Sequence, residues 1–194
     1  MDRIQLEFFK QDVETVARRL IGVSLLIDGV GGWIVETEAY DALDPAAHSY
    51  RGRTARNAAV FGPPGHAYVN RSYGIHWCLN VVCGTEVGGA VLIRAIEPSA
   101  GVAAMIARRG IDDLRGLCSG PGRLCQALGI DGSFDGRALD RPPFELSGSA
   151  LTTIQVGPRI GLSRGKEKLW RFWLEGSRFV SRPVPGLRKT KSVS

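Results

Sequence analysis

Lysine is nearly missing from this chain. Of its 25 cationic residues twenty are arginine and only five are lysine, and no lysine lies between Trp33 and Arg94. A covalent mechanism through a lysine Schiff base therefore has no amine in that stretch. Long apolar runs are missing too. The longest, such as Ala90-Val91-Leu92-Ile93, are a few residues, against the ~20 needed to span a bilayer. The N-terminus, MDRIQLEFFKQD, mixes charges of both signs and has no apolar core of the signal-peptide kind. Cys78, Cys83, Cys118 and Cys125 show neither C-x-x-C spacing nor the density of a disulfide scaffold. Histidine occurs three times, at His48, His66 and His76, and no two share helical or strand spacing beside a carboxylate. These absences exclude a membrane protein, a collagen-like chain, a knottin and a zinc finger. A soluble, reduced, intracellular globular protein is expected, with no metal and no cofactor.

What is present fits one ordinary domain. The chain has 194 residues, 44% of them hydrophobic, 8% aromatic and 23% charged, enough to bury a core. The net charge is +6, and residues 159–194 alone carry +8 while the remainder carries −2. A basic excess gathered at one end points to a polyanion, most simply nucleic acid; solubility alone is the other reading.

Punctuation and periodicity predict the elements. Asp12 can cap a helix in which Val13, Val16, Ala17, Leu20 and Ile21 share a face, with Gly22 as its stop. Strands are expected at Val23–Asp28 and Trp33–Tyr40, joined by a hairpin-like turn over Gly29-Val30-Gly31-Gly32. A polar loop runs from Asp41 to Arg53, Thr54 can cap a short helix ending near Phe61, and Gly62-Pro63-Pro64-Gly65 is a break. Ala67 to Cys83 is β-rich with a bend at Ser72-Tyr73-Gly74, and Ala90–Ile96 reads as another strand. Ser99 can cap a helix through Arg109, and a second is entered through Pro121 and ends near Leu128. Ser133–Ser149 reads as a long loop, strands are expected near Thr152–Val156 and Leu169–Leu174, and residues 183–194 as a basic, flexible tail. Hairpins with scattered helices and no regular βαβ alternation argue for α+β.

Three segments can carry chemistry. In Trp33–Tyr40, strand alternation places Ile34, Glu36, Glu38 and Tyr40 on one face. Two glutamates on one strand face need a reason. Either they are solvent-facing with arginine partners, or one is a general base beside an aromatic wall. In Pro45–Ser49, His48 sits on a loop, where functional side chains concentrate; a plain surface histidine is the alternative. The run Tyr68–Asn80 interleaves aromatic and basic residues, which suits a wedge entering a nucleic-acid groove or a core strand with its aromatics turned inward. Asn80 and Arg94 are polar residues within apolar strands, so each marks a polar pocket or a structural hydrogen-bond network.

Taken in order, IVETEAY (34–40), AAHS (46–49), RN (56–57), FGPPGHAYV (61–69), YGIHWCLN (73–80), VLIRAIEP (91–98), LCSGPGRLCQALGI (117–130) and GPRIG (157–161) resemble the alkyladenine (3-methyladenine, 3-methylpurine) DNA glycosylases. The similarity runs from Leu6 to Arg182, so a glycosylase domain over 1–182 is expected. The resemblance implies a single α+β domain with a curved antiparallel sheet and a hairpin that enters the DNA minor groove. It implies a monofunctional base-excision-repair enzyme, a monomer, acting on damaged double-stranded DNA. Such an enzyme flips an alkylated or deaminated purine (3-methyladenine, 7-methylguanine, hypoxanthine, ethenoadenine) and hydrolyses its N-glycosidic bond. By the same resemblance Glu38 is the general base, Arg94 helps it hold the attacking water, and the Ile160 carbonyl completes the water site. Tyr40 and His48 wall the base pocket, Asn80 crowds the exocyclic amino group of guanine, and Tyr73 fills the gap left by the flipped nucleotide. One position departs: where the family usually carries an aromatic, this chain has Asn70, on the strand face shared with Tyr68 and Ser72. Loss of a stacking wall costs about 1–3 kcal/mol in base affinity. The alternative reading is a catalytically weakened lesion-binding protein of the same fold, which Asn70 favours and the retained Glu38 and Arg94 oppose. A bacterial-type cytoplasm is the expected location, with a nucleus as the second option.

Overall fold

Asp12 starts the first helix through its side chain. Its carboxylate accepts the Thr15 N–H at 2.9 Å, and helix α1 follows over Val13–Leu20. Val13, Val16, Ala17 and Leu20 are buried, and Gly22, at φ +89°, turns the chain out of the helix. The structure, a computed structural model, describes residues 2–150 and 153–182. The tail expected over 183–194 lies outside them.

The remaining elements build one antiparallel sheet. Strand β1 (Ser24–Ile27) turns into β2 (Val30–Tyr40), then come the hairpin β3 (Ala67–Ser72) and β4 (His76–Val82) and the long β5 (Ala90–Ala100). Helices α2 (Val102–Arg109), α3 (Leu114–Leu117) and α4 (Pro121–Leu128) follow, with strands β6 (Phe144–Ser147), β7 (Ile154–Gly157) and β8 (Arg171–Leu174). The order β3-β4-β5-β2-β1-β6 is extended where β8 pairs with β2 and β7 with β8. Along one edge β2 pairs with β5; along the other it pairs with β1 up to Trp33 and with β8 over Glu36–Glu38. One face packs against α1, α2 and α4 around a core that includes Leu20, Ile34, Ala39, Leu79, Ile93 and Leu124. The fold is α+β, and no helix among the described residues is long and apolar enough to cross a membrane.

Several elements differ from the expectation, each for a local reason. The first turn is Asp28-Gly29, at φ +48° and +77°, the geometry of a tight hairpin. Gly31 and Gly32 are strand residues; a Cβ on them would overlap Leu25 O and Glu97 O, so they admit close flanking backbones. Thr54 does not cap the short helical turn Ala58–Phe61; Asn57 Oδ1 instead accepts from the Thr54 N–H and hydroxyl. Ser99 lies inside β5, and α2 is entered from Gly101 at φ +63°. Strand β6 interrupts the expected loop: Phe144 and Leu146 are buried and Glu145 exposed, a period-2 edge strand among prolines and glycines. Strand β2 does not keep one alternation throughout. Its register with β5 shifts between Ile34 and Glu36 and again between Glu36 and Thr37. This irregularity turns Ile34 into the helix-covered core with Ala39, while Thr37 donates its hydroxyl to Ala17 O at 2.9 Å.

Candidate active site

The face turned away from the helices carries a row of residues in lateral register. Tyr68 on β3 pairs with Asn80 on β4, Asn80 with Leu92 on β5, Leu92 with Glu38 on β2, and Glu38 with Arg171 on β8. Lateral partners share a sheet face, so one register level spans five strands and ends in a buried charge cluster. Above this row lies a cavity of about 540 Å³, within the usual range for small-molecule sites. Glu38, Tyr40, His48, Asn70, Tyr73, Asn80, Arg94 and Ile160, scattered over 122 positions, all line it.

Glu38 is fully buried, and three donors converge on it. Its Oε2 accepts the Tyr40 hydroxyl at 2.8 Å and Arg94 Nη1 at 3.1 Å. Its Oε1 accepts the Ile160 N–H at 2.7 Å. A carboxylate offers about four lone-pair positions, so one, on Oε1, is left unclaimed by these bonds. At Ile160 it is thus the N–H that meets Glu38. Burial, and then the Glu38 charge, raise the Tyr40 pKa, so its hydroxyl stays protonated and donates. Burial alone would lower the Arg94 pKa, but Glu38 and Glu36 outweigh it and hold the guanidinium above its ordinary value.

The two strand glutamates are neither solvent-facing nor equivalent. Glu36 is also fully buried but does not line the cavity; it accepts Arg94 Nε at 2.9 Å and Arg171 Nε at 2.8 Å. Arg94 therefore bridges the two carboxylates with different nitrogens of one rigid fork.

The loop holding His48 is tied down at three points. Asn57 Nδ2 donates to His48 O at 2.9 Å, Ser49 Oγ to Gly88 O at 2.7 Å, and Asp44 pairs with Arg159. His48 Nδ1 and the Tyr68 hydroxyl share a hydrogen bond of 2.9 Å. Burial lowers the His48 pKa, so the imidazole is neutral at pH 7, and pushes Tyr68 up to about 12. Arg159 also donates to Ala39 O and Gly165 O and lies 4.6 Å over the Tyr40 ring. Being adjacent to Ile160, it fixes the backbone that delivers the N–H to Glu38.

On β4, Asn80 Nδ2 donates to Tyr68 O at 3.0 Å and to Asn70 Oδ1 at 2.9 Å. Its donors occupied, the Asn80 amide keeps only its oxygen free for a ligand. Cys78, also lining the cavity, is pushed up to about 11 by burial and is an inert thiol at neutral pH. Tyr73 stands at the tip of the β3–β4 hairpin, 89% exposed, at φ +50°, followed by Gly74 at φ +69°. A non-glycine residue in the left-handed region is uncommon, and an exposed aromatic there more so.

A family model described as Methylpurine-DNA glycosylase (MPG) matches residues 7–178. The chain belongs to the methylpurine-DNA glycosylase family. It is 59% identical over 182 residues to a protein of Rhodopseudomonas palustris (strain HaA2), covering 93% of this chain and 90% of that relative. It is 59% identical over 179 residues to one of Granulibacter bethesdensis, covering 90% and 85%. It is 56% identical over 186 residues to one of Nitrosospira multiformis, covering 94% and 95%. Each relative bears the name "Putative 3-methyladenine DNA glycosylase".

For this methylpurine-DNA glycosylase family member, the sequence points to residues of the cavity wall but not to their supports. No local pattern marks Asp44, Asn57, Arg159, Arg171 or Ser181, and strand alternation does not separate Glu36 from Glu38. Buried charges within strands were the available signal, since Glu36 and Arg171, like Arg94, interrupt apolar runs and must be paired.

Proposed function

We propose that this family member is a monofunctional hydrolase of N-glycosidic bonds in damaged double-stranded DNA, acting as a monomer on alkylated purines flipped into the cavity. The observation that carries this reading is the buried Glu38 carboxylate, held by Tyr40, Arg94 and the Ile160 N–H in the wall of a cavity wide enough for a base. A water bound there gives its proton to Glu38 while its oxygen bonds to C1′. The C1′–N bond breaks and its electron pair leaves with the purine, producing an abasic site. The transition state is oxocarbenium-like, and the Glu38 charge stabilises the positive sugar as well as accepting the proton. Tyr40 and His48 wall the base, Asn70 stands where a further wall would be, and Asn80 meets the base edge.

The leaving group sets the expected order of substrates. An alkylated purine is already cationic and departs neutral. Hypoxanthine or ethenoadenine must first be protonated, and the cavity offers little acid: the Tyr40 hydroxyl is committed to Glu38, and His48 is neutral. Cationic lesions such as 3-methyladenine and 7-methylguanine are therefore excised fastest.

Reaching the base requires extrusion from the stack. Tyr73 is suited to fill the void: it is an exposed aromatic at the tip of a hairpin whose strands are bridged by Arg71, 4.6 Å over the Trp77 ring. The net charge of +6 supplies phosphate affinity without reading sequence.

The test is free-base release from duplexes carrying methylated purines, hypoxanthine or ethenoadenine, with wild type beside Glu38→Gln. Release by the wild type, and loss of about 10²- to 10⁴-fold in the variant with lesion binding retained, is the expected result. No release by the wild type, with lesion binding intact, refutes hydrolysis and leaves the lesion-binding alternative.

A further inference from the structure

We infer that Glu36 and Ser181 are positioning residues that seat the Arg94 guanidinium on Glu38, so that the segment after β8 belongs to the active-site machinery. This rests on the reading of Glu38 as the base that activates water.

The geometry is that of a three-point clamp. Arg94 Nε donates to Glu36 Oε1 at 2.9 Å, Nη1 to Glu38 Oε2 at 3.1 Å, and Nη2 to Ser181 Oγ at 3.1 Å. Each guanidinium nitrogen has its own partner, which fixes the plane as well as the position of a flat group. Ser181 closes the ring, since its hydroxyl donates to Glu36 Oε1 at 2.9 Å and its N–H to Glu36 Oε2 at 2.5 Å. Removing either residue takes one of these anchors from Arg94 and loosens its seat on Glu38.

The backbone irregularity of β2 delivers Ser181 to this place. The register shift next to Val35 lets its side chain pack with Ala95 and Phe179 in a small cluster separate from the main core. Phe179 anchors the segment, and two residues later Ser181 meets Glu36.

Charge gives Glu36 a second task. Glu36, Glu38, Arg94 and Arg171 sum to zero. With Glu36 neutral, two buried guanidinium groups would face one carboxylate. The surplus positive charge would then lie beneath a sugar that becomes positive in the transition state. Glu36 cancels this surplus without touching substrate.

The experiment compares Ser181→Ala, Ser181→Thr and Glu36→Gln in the full chain. Single-turnover excision of 7-methylguanine and equilibrium affinity for the lesion duplex are measured separately. Ser181→Ala is expected to slow excision about fivefold, the worth of one hydrogen bond, with affinity unchanged. Ser181→Thr keeps the hydroxyl and should excise near the wild-type rate. Glu36→Gln should slow excision about a hundredfold, again without change in affinity. If Glu36→Gln fails to fold, the serine pair decides. Wild-type rates in Ser181→Ala overturn the proposal. So do equal losses in the alanine and threonine variants, or losses confined to affinity. A wild type that releases no base refutes the Glu38 reading and this proposal with it.

Discussion

Replacing Asp44 by asparagine should cost this protein more stability than any surface change, although Asp44 lies in a loop. Both Asp44 and the Arg159 side chain are fully buried and paired with each other. Arg159 also donates to Ala39 O at 2.8 Å and Gly165 O at 2.9 Å, so it has no low-cost route to solvent. Asp44→Asn keeps the shape, removes the charge and strands a guanidinium in the interior. Breaking a buried pair from one side costs about 3–5 kcal/mol. At about 2–4 °C per kcal/mol for a chain of this size, Tm should fall about 6–20 °C. Asp41→Asn is the control: its partner Lys168 is 3.4 Å away, the two side chains are about a third exposed, and its loss should cost under about 1 kcal/mol. Urea and thermal unfolding of the two variants beside wild type give the comparison. Base release from folded Asp44→Asn should also slow, because Arg159 precedes the Ile160 N–H that meets Glu38. If Asp44→Asn costs no more than Asp41→Asn, the pair is not desolvated and the reasoning fails.

Tyr73→Ala should leave stability within about 0.5 kcal/mol, as for an exposed side chain. Its lesion-duplex affinity should fall about 5- to 150-fold by titration, from the loss of about 1–3 kcal/mol of stacking; unchanged affinity would remove Tyr73 from the DNA interface. Asn70→Tyr should tighten binding to a flipped ethenoadenine over a similar range, despite losing the Asn80–Asn70 hydrogen bond. Equal affinity for both proteins would show that Asn70 does not line the base. His48 has a pKa below the ordinary 6.5 in the folded protein because it is buried. The unfolded chain thus binds more protons between the two values, and the His48 contribution to stability is complete above 6.5 and lost as pH falls through the lowered value. Urea midpoints from pH 7 down to 5 should decline, and His48→Gln should flatten that decline.

What the sequence could show was set by how far apart interacting residues lie along the chain. The Asp12 cap, the Pro121 entry to α4 and the β3–β4 bend are local, and each stands where propensity puts it. Local rules failed where tertiary pairing overrode them. Ser99 is a good cap residue, but the edge of β2 offered its neighbours a ladder to continue, and the helix waited for Gly101. Phe144–Ser147 is too short and too hemmed in by Pro and Gly to read as a strand until β1 stands beside it.

The site divides in the same way. Alternation places Glu36, Glu38 and Tyr40 on one face, and they are found there, but no local pattern separates the glutamate that lines the cavity from the one that does not. That difference arises 58 residues away at Arg94 and 145 residues away at Ser181. Likewise Asp44 reads as one more polar loop residue until Arg159, 115 positions on, is folded against it. A buried charge in a sequence therefore announces that a partner exists without saying where. Here the partners converge because a register shift in β2 reverses the strand's alternation after Ile34. The glutamates then face the cavity side, and Val35 is left to hold the segment that brings Ser181 in.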